Sequence, residues 1–175
     1  MALINAGTII RSICLFHITL GFFFLTSPHT VADQTLVFIM GEAMGLPHVR
    51  AFDSPSAPLA FLGVVLAFWG FSDLIAVSQP EEIANHYWSS QAPIRLVLFF
   101  ALSGYSYLFS AKSPMYKASG YITSSWGEGL KNRVLFTWAF VEMITWFWIW
   151  TTLREERRDM LVKAQEKRAQ EDDRL

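Results

Sequence analysis

The sequence predicts an all-α integral membrane protein, a four-helix bundle with a short interfacial helix after the first span and a polar C-terminal helix. Three observations predict it. Of the 175 residues, 53% are hydrophobic, with seven Trp and fifteen Phe, and they gather in long runs rather than alternating as in a soluble domain. Four of those runs approach the roughly 20 apolar residues that cross a hydrocarbon core of about 30 Å. Charge is nearly balanced at −1, and the basic residues collect toward the C-terminus among acids that offset them, which argues against nucleic acid as a partner.

The first span is placed at about 8–26. It reads as a retained helix rather than a signal peptide, because no basic residue precedes Arg11 and the run 7–26 outlasts a usual signal core. Cys14 lies inside it as a small apolar side chain, and a lone cysteine excludes an intrachain disulfide. Next, 31–45 bunches Leu36, Val37, Phe38, Ile39 and Met40 before Gly45-Leu46-Pro47. It is too short to span, so an interfacial helix is expected. Asp53-Ser54-Pro55-Ser56-Ala57-Pro58 turns the chain into the second span, 59–77. Glu81 and Glu82 occupy the following loop, with Tyr87 and Trp88 placed to sit at an interface, and the third span, 94–110, is expected to start near Pro93, which suits a first helical turn. A loop with Lys112, Lys117, Gly120, Gly127 and Gly129 is expected to be irregular before the fourth span, 134–152. Residues 1–153 thus form the membrane domain, and 154–175 a charged tail beginning Arg154-Glu155-Glu156-Arg157-Arg158-Asp159, a polar helix expected to fray.

Four spans put both termini on one side. Arg11, Arg95, Arg154, Arg157, Arg158, Lys163, Lys167 and Arg168 then face Arg50, Lys112, Lys117, Lys131 and Arg133 on the other, so the positive-inside rule places the termini in the cytosol. No Asn-x-Ser/Thr sequon offers a cross-check.

Ionisable groups inside a bilayer cost about 2.5–3.5 kcal/mol each at the centre on insertion scales, and therefore face a partner or a cavity. Arg11, Asp73 and Arg95 fall at similar heights on the terminal side, which predicts an Asp73–Arg95 ion pair with Arg11 nearby. The cluster reads either as a clamp between helices or as a head-group site. Ala60, Gly63, Ala67 and Gly70 recur every three or four residues as a packing stripe that Asp73 extends, so the acid points into the bundle. His17 and Glu142 lie near mid-span. Glu142 shares a helical row with Trp138, Trp146 and Trp150, whose indole N–H groups can reach it, and a His17–Glu142 contact would satisfy both residues as a polar bridge or as a proton relay or ligand pocket. Trp138, Trp146, Trp148 and Trp150 are otherwise read as interfacial aromatics at the membrane boundary.

The four histidines, His17, His29, His48 and His86, are scattered and lack partners at metal-ligand spacing, so no metal or other cofactor is indicated. Phosphate-binding glycine loops and nucleophile elbows are missing, and an enzyme ranks last among the readings.

The order of the motifs resembles one family. Arg11 opens an aromatic-rich first helix, Glu42-Ala43-Met44 precedes Leu46-Pro47, and Asp73-Leu74-Ile75 ends the second span. Pro93-Ile94-Arg95-Leu96, Phe99-Phe100 and Ser106-Tyr107-Leu108 mark the third, and Phe140-Val141-Glu142 leads to Leu153-Arg154-Glu155-Glu156. Over about residues 8–160 this set looks like the fungal "increased loss of mitochondrial DNA" protein family. The resemblance takes in Arg11, Asp73, Arg95 and Glu142 but not His17. It implies a multi-pass protein of the endoplasmic reticulum membrane whose loss affects mitochondrial genome maintenance, with no established biochemical activity.

Two roles follow as expectations. One is a non-catalytic accessory or adaptor subunit packed against a larger membrane-protein partner, its tail reaching cytosolic factors. The other is a lipid-binding or lipid-handling protein, which would show a lipid-shaped cleft between helices open to the bilayer. A small channel or transporter would need a continuous polar path from Arg11, Asp73 and Arg95 to Glu142, and so few charges are a sparse lining.

Overall fold

The computed structural model describes residues 4–108, 110, 113 and 127–172. Among them are six α-helices, two short 3₁₀ turns (Arg50–Phe52 and Glu128–Leu130) and no strand. Lys112, Lys117 and Gly120, on which the loop and topology expectations partly rest, lie outside the described residues, as do 1–3 and 173–175.

Helix α1 (Ala6–Thr26) starts where Asn5 caps it, the Asn5 side-chain oxygen accepting from the Gly7 amide at 2.6 Å. Along it Ser12, Thr19 and Thr26 donate their hydroxyls to the carbonyls of Thr8, Leu15 and Phe22 one turn back. Polar side chains spent on their own helix in this way leave its outer surface apolar.

The single interfacial helix expected at 31–45 is two helices, α2 (Pro28–Ala32) and α3 (Thr35–Met44). Gln34 breaks it. Its backbone is extended (φ −59°, ψ 135°), and its side-chain amide donates back to the Thr30 carbonyl at 3.1 Å, competing with helix continuation. Gly45 closes α3 in the left-handed conformation (φ 69°), with the Leu46 amide reaching the Gly41 carbonyl at 2.9 Å.

Helix α4 (Ala57–Val77) and helix α5 (Glu81–Leu108) follow. The expected start of the third span near Pro93 is corrected: α5 begins after Pro80 and runs through Pro93. Two acids in its first turn favour that start. Ala84, Trp88, Ala92, Arg95 and Phe99 then bury one continuous face, and this packing holds the helix across the proline. Helix α6 (Arg133–Asp172) is unbroken from the fourth span into the tail, whose residues beyond Leu153 are mostly exposed.

Three helical stretches, Ala6–Thr26, Ala57–Val77 and Arg133–Glu171, are long and apolar enough to cross a membrane. α5 has the length, but its first half is polar. Phe61, Phe68 and Phe100 are 72%, 77% and 67% exposed, an outer surface suited to lipid rather than water.

The four long helices alternate in direction. α1 packs chiefly on α4 and α5 on α6; Gly21 meets Gly63 while Cys14 meets Gly70, and Trp88 stacks on Trp146 while Phe99 meets Trp138. A methyl on Gly21 would lie 2.6 Å from the Gly63 carbonyl oxygen, and one on Gly70 2.7 Å from that of Cys14. Three members of the stripe, Gly63, Ala67 and Gly70, therefore set the α1–α4 approach, while Ala60 is half-buried beyond these contacts. Ala6 and Glu156 meet at one end, where the Ala6 amide donates to Glu156 Oε1 at 2.9 Å.

Candidate functional site

Two features stand out inside the bundle, a buried charged knot in the half nearer the termini and an apolar cleft in the other half. The knot is built from one residue or more on each long helix. Arg95 of α5 donates from both terminal nitrogens to Asp73 of α4, at 2.5 and 2.9 Å. Such a fork satisfies both carboxylate oxygens and offsets much of the cost of burying the charges. Three indoles surround the guanidinium, with Arg95 Cζ 5.3 Å from the Trp69 ring centre, 5.2 Å from Trp88 and 4.8 Å from Trp146. Their faces carry negative potential, so the cation is stabilised where water is absent.

Trp69 and Trp146 join this pair to a second one at mid-span. His17 of α1 stacks on Trp69 at 4.9 Å between ring centres, and its Nε2 shares a hydrogen bond of 2.6 Å with Glu142 Oε1 on α6. The other carboxyl oxygen accepts from Trp146 Nε1 at 2.9 Å. His17, Glu142 and Trp146 are wholly buried. His17 Nδ1 and Trp88 Nε1 are buried without a partner.

The structure thus brings together Asp73 with Arg95 and His17 with Glu142. Two expectations are corrected. Arg11 is exposed and has no ion pair among the described residues, because the buried face of α1 runs through Ile10, Ile13, Cys14 and His17 and position 11 lies off it. Trp146 is not an interfacial aromatic: it falls on the inner row Ala139, Glu142, Trp146, Ile149 and Leu153. Trp138 is also turned inward, against Phe99 at 5.2 Å. Trp148 is half exposed, and Trp150, partly buried against the core, is capped by Arg154, whose Cζ lies 5.2 Å from its ring. Sequence reasoning missed Trp69 as a wall around Arg95 and placed Trp88 at an interface, whereas Trp88 is buried against the guanidinium. The signal was available for Trp88, which precedes Arg95 by two turns on one helical face.

Chemically the acids of the knot are satisfied, whereas His17 Nδ1 and Trp88 Nε1 have no partner among the described residues. Each carboxylate has its donors within the bundle, and among the described residues no group of three or more His, Cys, Asp or Glu side chains is placed to hold a metal ion.

The cleft is a cavity of about 440 Å³ between α1, α4 and α6, flanked by α2 and α3. Leu20, Phe24, Val37, Leu66, Val134 and Trp138 are among the side chains that line it. Four of its polar neighbours are turned away: Thr19 donates to the Leu15 carbonyl, Gln34 to Thr30, Asn132 to Gly129 and Thr137 to Arg133, at 2.7 to 3.1 Å, while Trp138 Nε1 is buried without a partner among the described residues.

Fold and knot define a class, an all-α bundle with helices long and apolar enough to cross a membrane, locked internally by paired charges. The family model "Increased loss of mitochondrial DNA protein 1" matches residues 4–163, and the chain belongs to that family. It is 27% identical over 165 residues to "Protein ilm1" of Schizosaccharomyces pombe, covering 92% of this chain and 89% of the relative. With "Protein ILM1" of Saccharomyces cerevisiae it shares 24% identity over 144 residues, 82% of this chain, and spans 62% of that relative's length. No solved structure matches.

Proposed function

We propose that this chain is a non-catalytic lipid-binding protein of the endoplasmic reticulum membrane that holds the hydrocarbon chain of a bilayer lipid and supports mitochondrial DNA maintenance indirectly. In this reading α1, α4, α5 and α6 each cross the bilayer with the termini in the cytosol. The cleft carries the proposal. At about 440 Å³ it falls within the roughly 300–1,000 Å³ of ordinary ligand sites. Because Thr19, Gln34, Asn132 and Thr137 are spent on backbone carbonyls, the lining is almost wholly apolar, with Trp138 Nε1 a buried donor left unpartnered among the described residues, and a hydrocarbon chain loses no hydrogen bond on entering. Phe16 and Leu62, partly exposed on the outer surface of the bundle, are among its lining residues, so a lipid can enter sideways. The link to mitochondrial DNA rests on the family's name.

An adaptor role is the second reading. It is favoured by the α6 tail, which extends beyond the bundle with Met160, Leu161 and Val162 exposed among charges.

Affinity purification of the tagged chain from mild detergent, with mass spectrometry of co-purifying lipids and proteins, separates the two. The lipid reading expects a stoichiometric lipid that Leu20→Trp, which fills the cleft, expels from a folded protein. A stoichiometric membrane-protein partner, with lipid content unchanged by Leu20→Trp, would transfer the assignment to an adaptor.

A further inference from the structure

Resting on the lipid reading, we infer that Arg133 makes the outer end of the cleft a site for the phosphate of an anionic phospholipid. The residue stands at the head of α6, directly between Asn132 and Val134, both of which line the cleft. Across from it, Ala32 and Asp33 form the break between α2 and α3 and are flanked by Val31 and Gln34, which also line the cleft. Arg133 therefore sits where the walls contributed by α2, α3 and α6 converge, just outside the apolar space.

Its stem is fixed. The Cβ of Arg133 lies 2.6 Å from where a methyl on Gly41 would be, so only glycine at position 41 lets the arginine lie across α3. The head is under-used. Nη2 donates to the Ala32 carbonyl at 3.2 Å and stands 3.9 Å from Asp33 Oδ1, a carboxylate that is 70% exposed, while Nε is buried without a partner among the described residues. A guanidinium carries five N–H donors arranged to match phosphate oxygens. In the knot Arg95 has a bidentate carboxylate at 2.5 and 2.9 Å; among the described residues Arg133 has one carbonyl and a distant, solvated acid.

Depth agrees with this assignment. α6 turns apolar from Val134 onward, so Arg133 lies at head-group level, and the cleft continues past it to Trp138 and Val141, about two turns deeper. A phospholipid whose chain fills the cleft brings its phosphate to Arg133, where it displaces the loose Asp33 contact.

The test uses the full chain in mild detergent and three lipids with identical dioleoyl chains: phosphatidic acid, phosphatidylcholine and diacylglycerol, with binding read by native mass spectrometry. The wild-type chain is expected to bind phosphatidic acid about tenfold more tightly than diacylglycerol, as one added charge-assisted hydrogen bond implies. Arg133→Gln should reduce that preference to within about twofold while leaving diacylglycerol binding unchanged, and Arg133→Lys should restore part of it. Should Arg133→Gln fail to fold, Asp33→Asn at an exposed position decides: removing the competing acid should tighten phosphatidic acid binding severalfold, and no change overturns the inference. Equal binding of all three lipids by the wild-type chain overturns the head-group site and leaves the lipid reading standing. Binding of none of them, or binding that Leu20→Trp does not reduce, removes the lipid reading itself.

Discussion

The two halves of the bundle use the same helices to opposite ends. Toward the termini, α1, α4, α5 and α6 converge on Arg95, Asp73, His17 and Glu142, and Trp69, Trp88 and Trp146 fill the space between them. Toward the other end, side chains of similar apolar character leave a cavity of about 440 Å³. The knot has mutually satisfied charges and stacked rings, so each member is held by several others. The cleft has no such charge pairs: its walls are apolar side chains packed as a second core cluster, with Phe24 against Phe52 at 6.0 Å and Trp138 against Phe99 at 5.2 Å. The contrast places the buried polar pairs in one half and capacity for a guest in the other.

Breaking the knot should have the largest effect. Arg95→Ala leaves Asp73 buried and uncompensated, which is expected to cost about 3–5 kcal/mol in a denaturant titration of the purified protein. The double variant Asp73→Leu with Arg95→Met should recover most of that loss, since removing both charges removes the desolvation cost with them. Full recovery of stability together with unchanged lipid and protein partners would make the pair a clamp; recovery with loss of one partner would make it a site. Next in size, Gly21→Leu drives a side chain into the Gly63 backbone and should cost about 3 kcal/mol by overpacking, measured the same way. A Gly21→Leu protein as stable as wild type would show that the α1–α4 contact is not close in the membrane.

Smaller still, Trp146→Phe keeps a ring beneath Arg95 and removes the indole donor to Glu142, with an expected loss of about 1–3 kcal/mol. An unchanged stability would mean that Glu142 is held by His17 alone. Leu20→Trp completes the series: its effect on stability should stay below about 1.5 kcal/mol, because it enters empty space, while its effect on bound lipid should be complete. Loss of lipid without loss of stability there, set beside loss of stability in the knot, would establish the division between the halves.

The helices were largely legible in the sequence. The first span was placed within a few residues of α1, the second, 59–77, began only two residues inside α4, and the fourth, 134–152, began one residue inside α6, which runs on unbroken to Asp172. The partners in both buried pairs were legible too, since a buried ionisable group demands a partner at its own depth and helix direction fixes depth. Arg11 shows the limit of that argument: depth placed it beside Asp73, but rotation about the α1 axis, set by which face packs on α4, turned it outward. Trp146 failed for the opposite reason. Aromatic residues near the end of a span suit a boundary belt and an interior equally well, and only the neighbouring helix decides between them. The start of α5 was missed because its first three turns carry polar residues at exposed positions and bury Ala84 and Trp88 on one side only.

The sequence by itself determined an all-helical bundle with spans long and apolar enough for a membrane, the packing stripe and the need to neutralise Asp73, Arg95 and Glu142, because hydrophobic run length and the cost of buried charge act locally. Tertiary structure decided the aromatic walls around Arg95, the outward turn of Arg11, the break at Gln34 and the cleft with Arg133 at its end. Those depend on how helices rotate and how closely they approach, quantities fixed by side-chain volumes meeting across helices far apart in the chain.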